Sequence, residues 1–475
     1  MKVNIEQILL KGRTFCFPFW EYRGITPLLF IGALIMKMEF FLRLILSFYI
    51  GLFFITKAEY SYAESLESTL ISVYNKNPIL LAERERLKEV QESYIQARAQ
   101  GGINVFATGI LAGSITENSS IISDSFSSNP RIAQLNIAQP LYQGGRVKHL
   151  KLQATSNIYA QTENLKAREV LLFLSAAIVY AESLKAQQTY SLREKNVEVL
   201  LQQLNAAKMR FKAGEGTLTD VAQSETRLSN ARANLIASKG EIEIVGARYK
   251  RLVGRLPTSL TPIPSFETPK DLTRAIAVGR RTNPELLSAN HNVKASEAAI
   301  GVAQSEKRPV ISLNGAVSTS RGQSNGLANS DVAELTARIR VPIYTSGLND
   351  SSIRQAEFSK TRSAFLARDL ERAVIQNVTE LWTRREVAKS MLLIRQEQTN
   401  SANSALEGVK IEQNAGIRTQ LDILDAQQEY LDSKLAVIDA ELEFHISTFN
   451  LLANIGTFNA DSLRLNLEKA SSKQN

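Results

Sequence analysis

Apolar positions recur along this chain with two different periods. From Leu421 they step by three and four through Leu424, Gln428, Leu431, Leu435, Ile438, Leu442, His445, Phe449 and Leu452. In the first half, Val221, Leu228, Leu235, Ile242 and Tyr249 keep a seven-residue rhythm. Such steps place side chains on one helix face, so both stretches predict helices packed in coiled-coil fashion against antiparallel neighbours. His445 within that seam reads as a packed or hydrogen-bonded side chain. Elsewhere the period is two. Leu335, Ala337, Ile339 and Val341 alternate with Glu334, Thr336, Arg338 and Arg340. Ile311, Leu313, Gly315 and Val317 alternate with Ser312, Asn314, Ala316 and Ser318. Ala133, Leu135 and Ile137 alternate with Gln134, Asn136 and Ala138, and Ile103 to Leu111 is a weaker partner. Alternation over roughly 9–11 residues is the signature of a barrel strand. The polar, small-residue stretches Gly113 to Asn129 and Ser320 to Ser330 suit exposed loops between the strands.

Proline and glycine mark the remaining boundaries. No proline occurs from Leu141 to Leu256, or from Ile343 to the C-terminus. The 68 residues Arg146 to Ala213 also lack glycine, and the 68 residues Leu348 to Ala415 contain only Gly408. A helix that long reaches roughly 100 Å. Gly214-Glu215-Gly216 and Ala415-Gly416 break these helices, and a returning helix follows each break. Asn77-Pro78 and Asn283-Pro284 predict capped helices of about 20–25 residues leading into each strand pair. Pro257, Pro262, Pro264 and Pro269 mark a crossover.

The chain therefore states itself twice. Asn77-Pro78 recurs 206 residues on, and Pro140-Leu141-Tyr142 with Gly145 recurs 202 residues on as Pro342-Ile343-Tyr344 with Gly347. Gly214, Asp220 and Gly254 find Gly416, Asp422 and Gly456, and Tyr180 falls opposite Trp382. The reading divides the chain into an N-terminal extension and signal (1–63), a first repeat (64–254), a crossover (255–270), a second repeat (271–456) and a tail (457–475).

Composition narrows the function. The formal charge of +9 is spread over helices rich in acids, with no basic stripe and no aromatic platforms, which argues against a nucleic-acid partner. Cys16 is the only cysteine, and His149, His291 and His445 are far apart, so no metal, cofactor or nucleophile–base motif is expected and an enzyme is not. Lys37 and Arg43, the 12-residue run Leu44 to Ile55, and Ser61-Tyr62-Ala63 read as a secretory signal cleaved before Glu64. That run is short for a membrane anchor. Translation beginning at Met36 or Met38 would account for the unusual first 35 residues.

Four strands per chain cannot close a membrane barrel, whose smallest forms have about 8. Bare strand edges in lipid cost several kcal/mol per unpaired group. Several copies must therefore share one barrel, with the long helices extending its wall as a conduit. A structural coiled coil bridging envelope layers is the alternative; it accounts for the helices but not for the alternating segments.

Three stretches carry a family resemblance: Pro140-Leu141-Tyr142-Gln143-Gly144-Gly145 after a strand, Gly214 with Thr219-Asp220-Val221, and the run from Gly416-Ile417-Arg418 through Asp422 and Asp425 to Ala426. Over roughly residues 64–457 the chain resembles the TolC family of outer-membrane efflux and secretion channels, in its non-lipidated branch. The resemblance implies an α + β membrane protein of duplicated half-structure. In a homotrimer, four strands from each subunit would make a twelve-stranded β-barrel in outer-membrane lipid, continued across the periplasm by an α-helical coiled-coil barrel. It also implies two partners, a periplasmic adaptor (membrane fusion) protein and an inner-membrane transporter, in a tripartite efflux pump or a type I secretion system.

By the same resemblance, Asp422 and Asp425 match a periplasmic pore constriction, where six carboxylates would repel one another and favour cations. Helix capping is the other reading of these acids. Arg418 matches a tip latch, with Glu215 and Asp220 as candidate partners. Gln413 stands where the family has a tyrosine. Gly214 and Gly416 mark tip turns and adaptor contact. Arg338 and Arg340, on the polar side of their strand, would make the barrel lumen basic. Tyr142 and Tyr344 suit an interface girdle or packing at the strand-to-helix junction.

Overall fold

The computed structural model describes residues 64–117, 125–322 and 329–465. The expected extension and signal at 1–63 lie outside them, as does the tail beyond 465. The first half runs α1 (Leu66–Lys76), α2 (Pro78–Ala99), β1 (Asn104–Leu111), β2 (Ser114–Glu117), β3 (Ser125–Ser128), β4 (Arg131–Gln143), α3 (Arg146–Lys212) and α4 (Leu218–Val253). The second runs α5 (Leu272–Thr282), α6 (Pro284–Ser305), β5 (Val310–Arg321), β6 (Ser330–Arg340), α7 (Leu348–Asn414) and α8 (Gln420–Asn454). Corresponding helices have equal lengths of 11, 22 and 67 residues, and the returning pair has 36 and 35. Each 67-residue helix spans about 100 Å.

Local chemistry sets these boundaries. Asn77 and Asn283 accept from the backbone N–H of Ile79 and Leu286, both at 3.0 Å, with proline as the first helical residue. Each asparagine also donates to the end of the returning helix, Asn77 to the Leu252 carbonyl and Asn283 to the Asn454 carbonyl. One side chain thus caps one helix and pins another. The short helices α1 and α5 are absent from the period-based reading. Ser65 and Asp271 cap them. Within the stretch expected as loop, β2 and β3 form a two-stranded hairpin.

The main sheet is antiparallel with order β1-β4-β5-β6. The two halves meet at β4 and β5, where Leu135 lies opposite Val317. The core gathers around the midpoints of α3 and α7. Phe173, Ala176, Ala177 and Tyr180 of α3 pack with Val374 and Val378 of α7, Phe449 of α8, and Ile455 and Phe458 beyond it. Phe266 of the crossover meets the Phe449 ring edge-on at 5.5 Å. Burial of each such aromatic or branched side chain contributes roughly 1.5–3 kcal/mol. The buried Tyr180 hydroxyl is 2.7 Å from the Thr261 carbonyl and 2.9 Å from that of Glu64, while its counterpart Trp382 packs half-buried on the same core.

Candidate functional site

Register sorts the sheet residues into two faces. Val105, Ile137, Gly315 and Leu335 lie in one row, and Ala107, Leu135, Val317 and Ala333 in the next. The large apolar residues of these rows are all exposed, Leu335 at 74%. The opposite face carries Asn104, Thr108, Gln134, Asn136, Asn314, Ser318 and Thr336, with one aromatic, Phe106. Arg338 pairs with Ser312 and Arg340 with Val310, which puts both arginines on that polar face. Among the described residues neither makes an ion pair. The 11 residues of β6, tilted by about 45°, cover about 25 Å, the height of a barrel's apolar band.

The outer strands β1 and β6 each pair on one side only. Tyr142 follows a register shift at Pro140 and lies opposite Ile311, at the foot of the apolar face. Tyr344 is past the end of β6. The two tyrosines are 45% and 85% exposed.

At the far end of the long helices the two hairpin turns share one pattern of backbone hydrogen bonds and caps. Gly214 and Gly416 both adopt φ +79°, a left-handed conformation that disfavours side chains. Thr217 then caps α4 and Thr419 caps α8. Asp220 accepts from the Thr217 backbone N–H at 3.0 Å, and Asp422 accepts from that of Thr419 at 2.8 Å. Both threonine hydroxyls lie 2.7 Å from the same carboxylates. These hydrogen bonds from threonine favour the anion and hold the Asp422 and Asp220 carboxyls below the usual carboxylate range. Within one chain, then, Asp422 is a capping-box residue and its pKa is lowered, opposite to the rise expected from mutual repulsion. Asp425 accepts from Arg227 of α4 at 2.6 Å, an ion pair between the two hairpins.

Arg418 donates to Glu412 of its own hairpin at 2.8 Å, with Asp422 at 4.0 Å. Neither Glu215 nor Asp220 is its partner, because the sharp turn folds the arginine back along α7. The link between hairpins passes instead through Gln420, a residue that sequence reasoning missed. Its side-chain oxygen accepts from Arg210 at 3.0 Å and from Gln413 at 2.8 Å. Its amide donates to Gln203 at 3.0 Å. Gln413 stands at the position expected to hold tyrosine. Below this network Leu200, Leu204, Ala207, Val221, Leu228 and Leu424 form a small second core. Only the place of Gln420 beside Arg418 and the threonine cap could have drawn attention to it.

No helix among the described residues is long and apolar enough to cross a membrane, and no group of histidine, cysteine or carboxylate residues there could hold a metal ion. The chain matches the sequence model of the outer membrane efflux protein family over residues 72–255 and 279–457. It is 29% identical over 414 residues to the outer membrane efflux protein BepC of Brucella suis, covering 85% of this chain and 88% of BepC. It is 23% identical over 362 residues to TolC of Escherichia coli K12, covering 73% of each. The outer membrane protein VceC of Vibrio cholerae superposes with a TM-score of 0.69 at 18% identity, covering 82% of this chain and 96% of that one. The likeness to VceC is one of fold. The chain belongs to the outer membrane efflux protein family and is a channel subunit of the outer membrane.

Proposed function

We propose that three copies of this chain close one barrel and one helical tunnel, forming the exit duct for an inner-membrane transporter joined through a periplasmic adaptor. The observation that carries this reading is the sheet with two bare edges and an outer face whose central rows are apolar. In lipid, the unpaired groups along β1 and β6 cost several kcal/mol each unless another copy pairs with them. Pairing β6 of one chain with β1 of the next removes every edge. Phe358, Phe365, Leu366, Leu393 and Ile394 of α7 are exposed in the single chain, and neighbouring helices would cover them.

In such a trimer Arg338 and Arg340 supply six positive charges to the lumen at the inner end of the barrel. Tyr142 and Tyr344 lie at the matching membrane interface. Asp422 and Asp425 ring the periplasmic end, and Gly214 and Gly416 form the turns an adaptor would grip. The paired hairpins are the narrow state of the tip, held by Gln420 and by the Arg227–Asp425 pair, with Arg418 bracing its own turn. A channel of this kind needs no cofactor.

The test is to purify the protein from outer membranes in detergent and to reconstitute it in planar bilayers. Heat-labile trimers with both helix and strand signals in circular dichroism, and discrete conductance steps, are expected. A stable monomer that dissolves without detergent would overturn the reading.

A further inference from the structure

Glu64 is buried at the first described position. It is 5% exposed and forms a parallel bridge with Leu260 of the crossover. Its backbone N–H donates to the Ser259 carbonyl at 2.6 Å, and its carbonyl accepts from the Thr261 N–H at 3.0 Å. Its carboxylate Oε1 accepts from the Tyr249 hydroxyl at 2.7 Å and from Arg255 Nη2 at 2.6 Å. Oε2 is buried and receives no hydrogen bond. A buried acceptor left without a donor costs about 1–3 kcal/mol, more when charged. The pocket is one donor short.

The expected cleavage between Ala63 and Glu64 supplies that donor. Hydrolysis by a signal peptidase breaks the amide bond. Water gives its OH to the Ala63 carbonyl carbon and a proton to the Glu64 nitrogen, which takes up one more proton to become an ammonium. The amide nitrogen had a single hydrogen, used on Ser259; the ammonium has three. We propose that the pocket formed by Tyr249, Arg255 and Ser259 receives the free amino terminus of the processed chain. The Glu64 ammonium keeps the Ser259 carbonyl and donates to Oε2 of its own side chain. One carboxylate then lies between two cations, the ammonium and Arg255. Their pairing fastens the first residue to the segment joining the two halves. Removal of the signal thereby completes the fold as well as releasing the chain. The inference rests on cleavage before Glu64 and is independent of the channel reading.

Protein purified from outer membranes is tested by intact mass and by acylation of its α-amine, read on the N-terminal peptide. A chain beginning at Glu64 is expected, with the amine acylated at least about tenfold more slowly in the native protein than in the unfolded chain, since each unit of raised pKa removes tenfold of the reactive neutral form. A different first residue, or equal rates, overturns the proposal. In a second arm, one serine is inserted between Ala63 and Glu64, alone and with Glu64→Gln. Each change is expected to lower the temperature of thermal unfolding, and the two together to do no more than the larger alone. No loss on insertion, or fully additive losses, overturns it.

Discussion

Replacing Gln420 by alanine removes a side chain that ties the two hairpins of a subunit together. Three hydrogen bonds disappear, from Arg210, from Gln413 and to Gln203. The Gln413 bond stays within one hairpin; of the two that cross, one is neutral, worth about 1 kcal/mol, and one is charged, worth about 1.5–3 kcal/mol. Water recovers much of this at the exposed Arg210 and half-buried Gln203 and Gln413, so the net loss is about 1–2 kcal/mol per chain. That shifts the balance between paired and separated hairpins by about 5–30-fold in each subunit. The assay is single-channel conductance in planar bilayers, with hydrogen exchange at the α7–α8 turn as a structural readout. Higher mean conductance and faster exchange are expected. Arg418→Ala provides the contrast. Its partner Glu412 lies on the same hairpin, and solvent screens an exposed pair, so conductance should rise less. Unchanged conductance and exchange in the Gln420 variant would refute the assignment of the link to this residue.

Asp422→Asn combined with Asp425→Asn should weaken block by multivalent cations at the periplasmic side; block of unchanged strength would remove these acids from the pore. Arg338→Gln with Arg340→Gln should shift the reversal potential in a salt gradient toward cation selectivity, and no shift would place the arginines outside the conducting path. Acid should loosen the tip turns only at low pH. The Asp220 and Asp422 carboxyls are lowered in the fold by threonine, so their capping contribution is present above the unfolded value of about 3.9 and lost as pH falls through the lower folded values. Exchange protection at both turns should therefore hold from neutral pH down to about pH 4 and decline below it; loss near pH 6 would contradict this origin.

Much of the architecture was legible because it is written in local terms. The 67-residue helices follow from long stretches without proline and nearly without glycine, and the tip turns from single glycines with positive φ. The strand faces follow from strict alternation, which is why Arg338 and Arg340 could be placed on the polar side before register was known. The repeat told which positions answer one another. The Thr419–Asp422 cap was also local, four residues long, yet the same acids fit a pore ring, and spacing alone could not weigh one role against the other.

The remainder depended on residues distant in sequence. Arg227 meets Asp425 across 198 positions, Gln420 meets Gln203 across 217, and Arg255 meets Glu64 across 191. No periodic pattern encodes such pairs, because each side chain taken alone looks like an ordinary solvated polar residue. Sequence by itself determined the long helices, the four strands of the main sheet, their duplication and the need for shared strand edges, since propensity, period and unsatisfied backbone groups act within a segment. Only the tertiary structure decided which hairpin Arg418 braces, which glutamine joins the tips and what surrounds Glu64, because those outcomes depend on how two long helical hairpins and a crossover come to rest against one another.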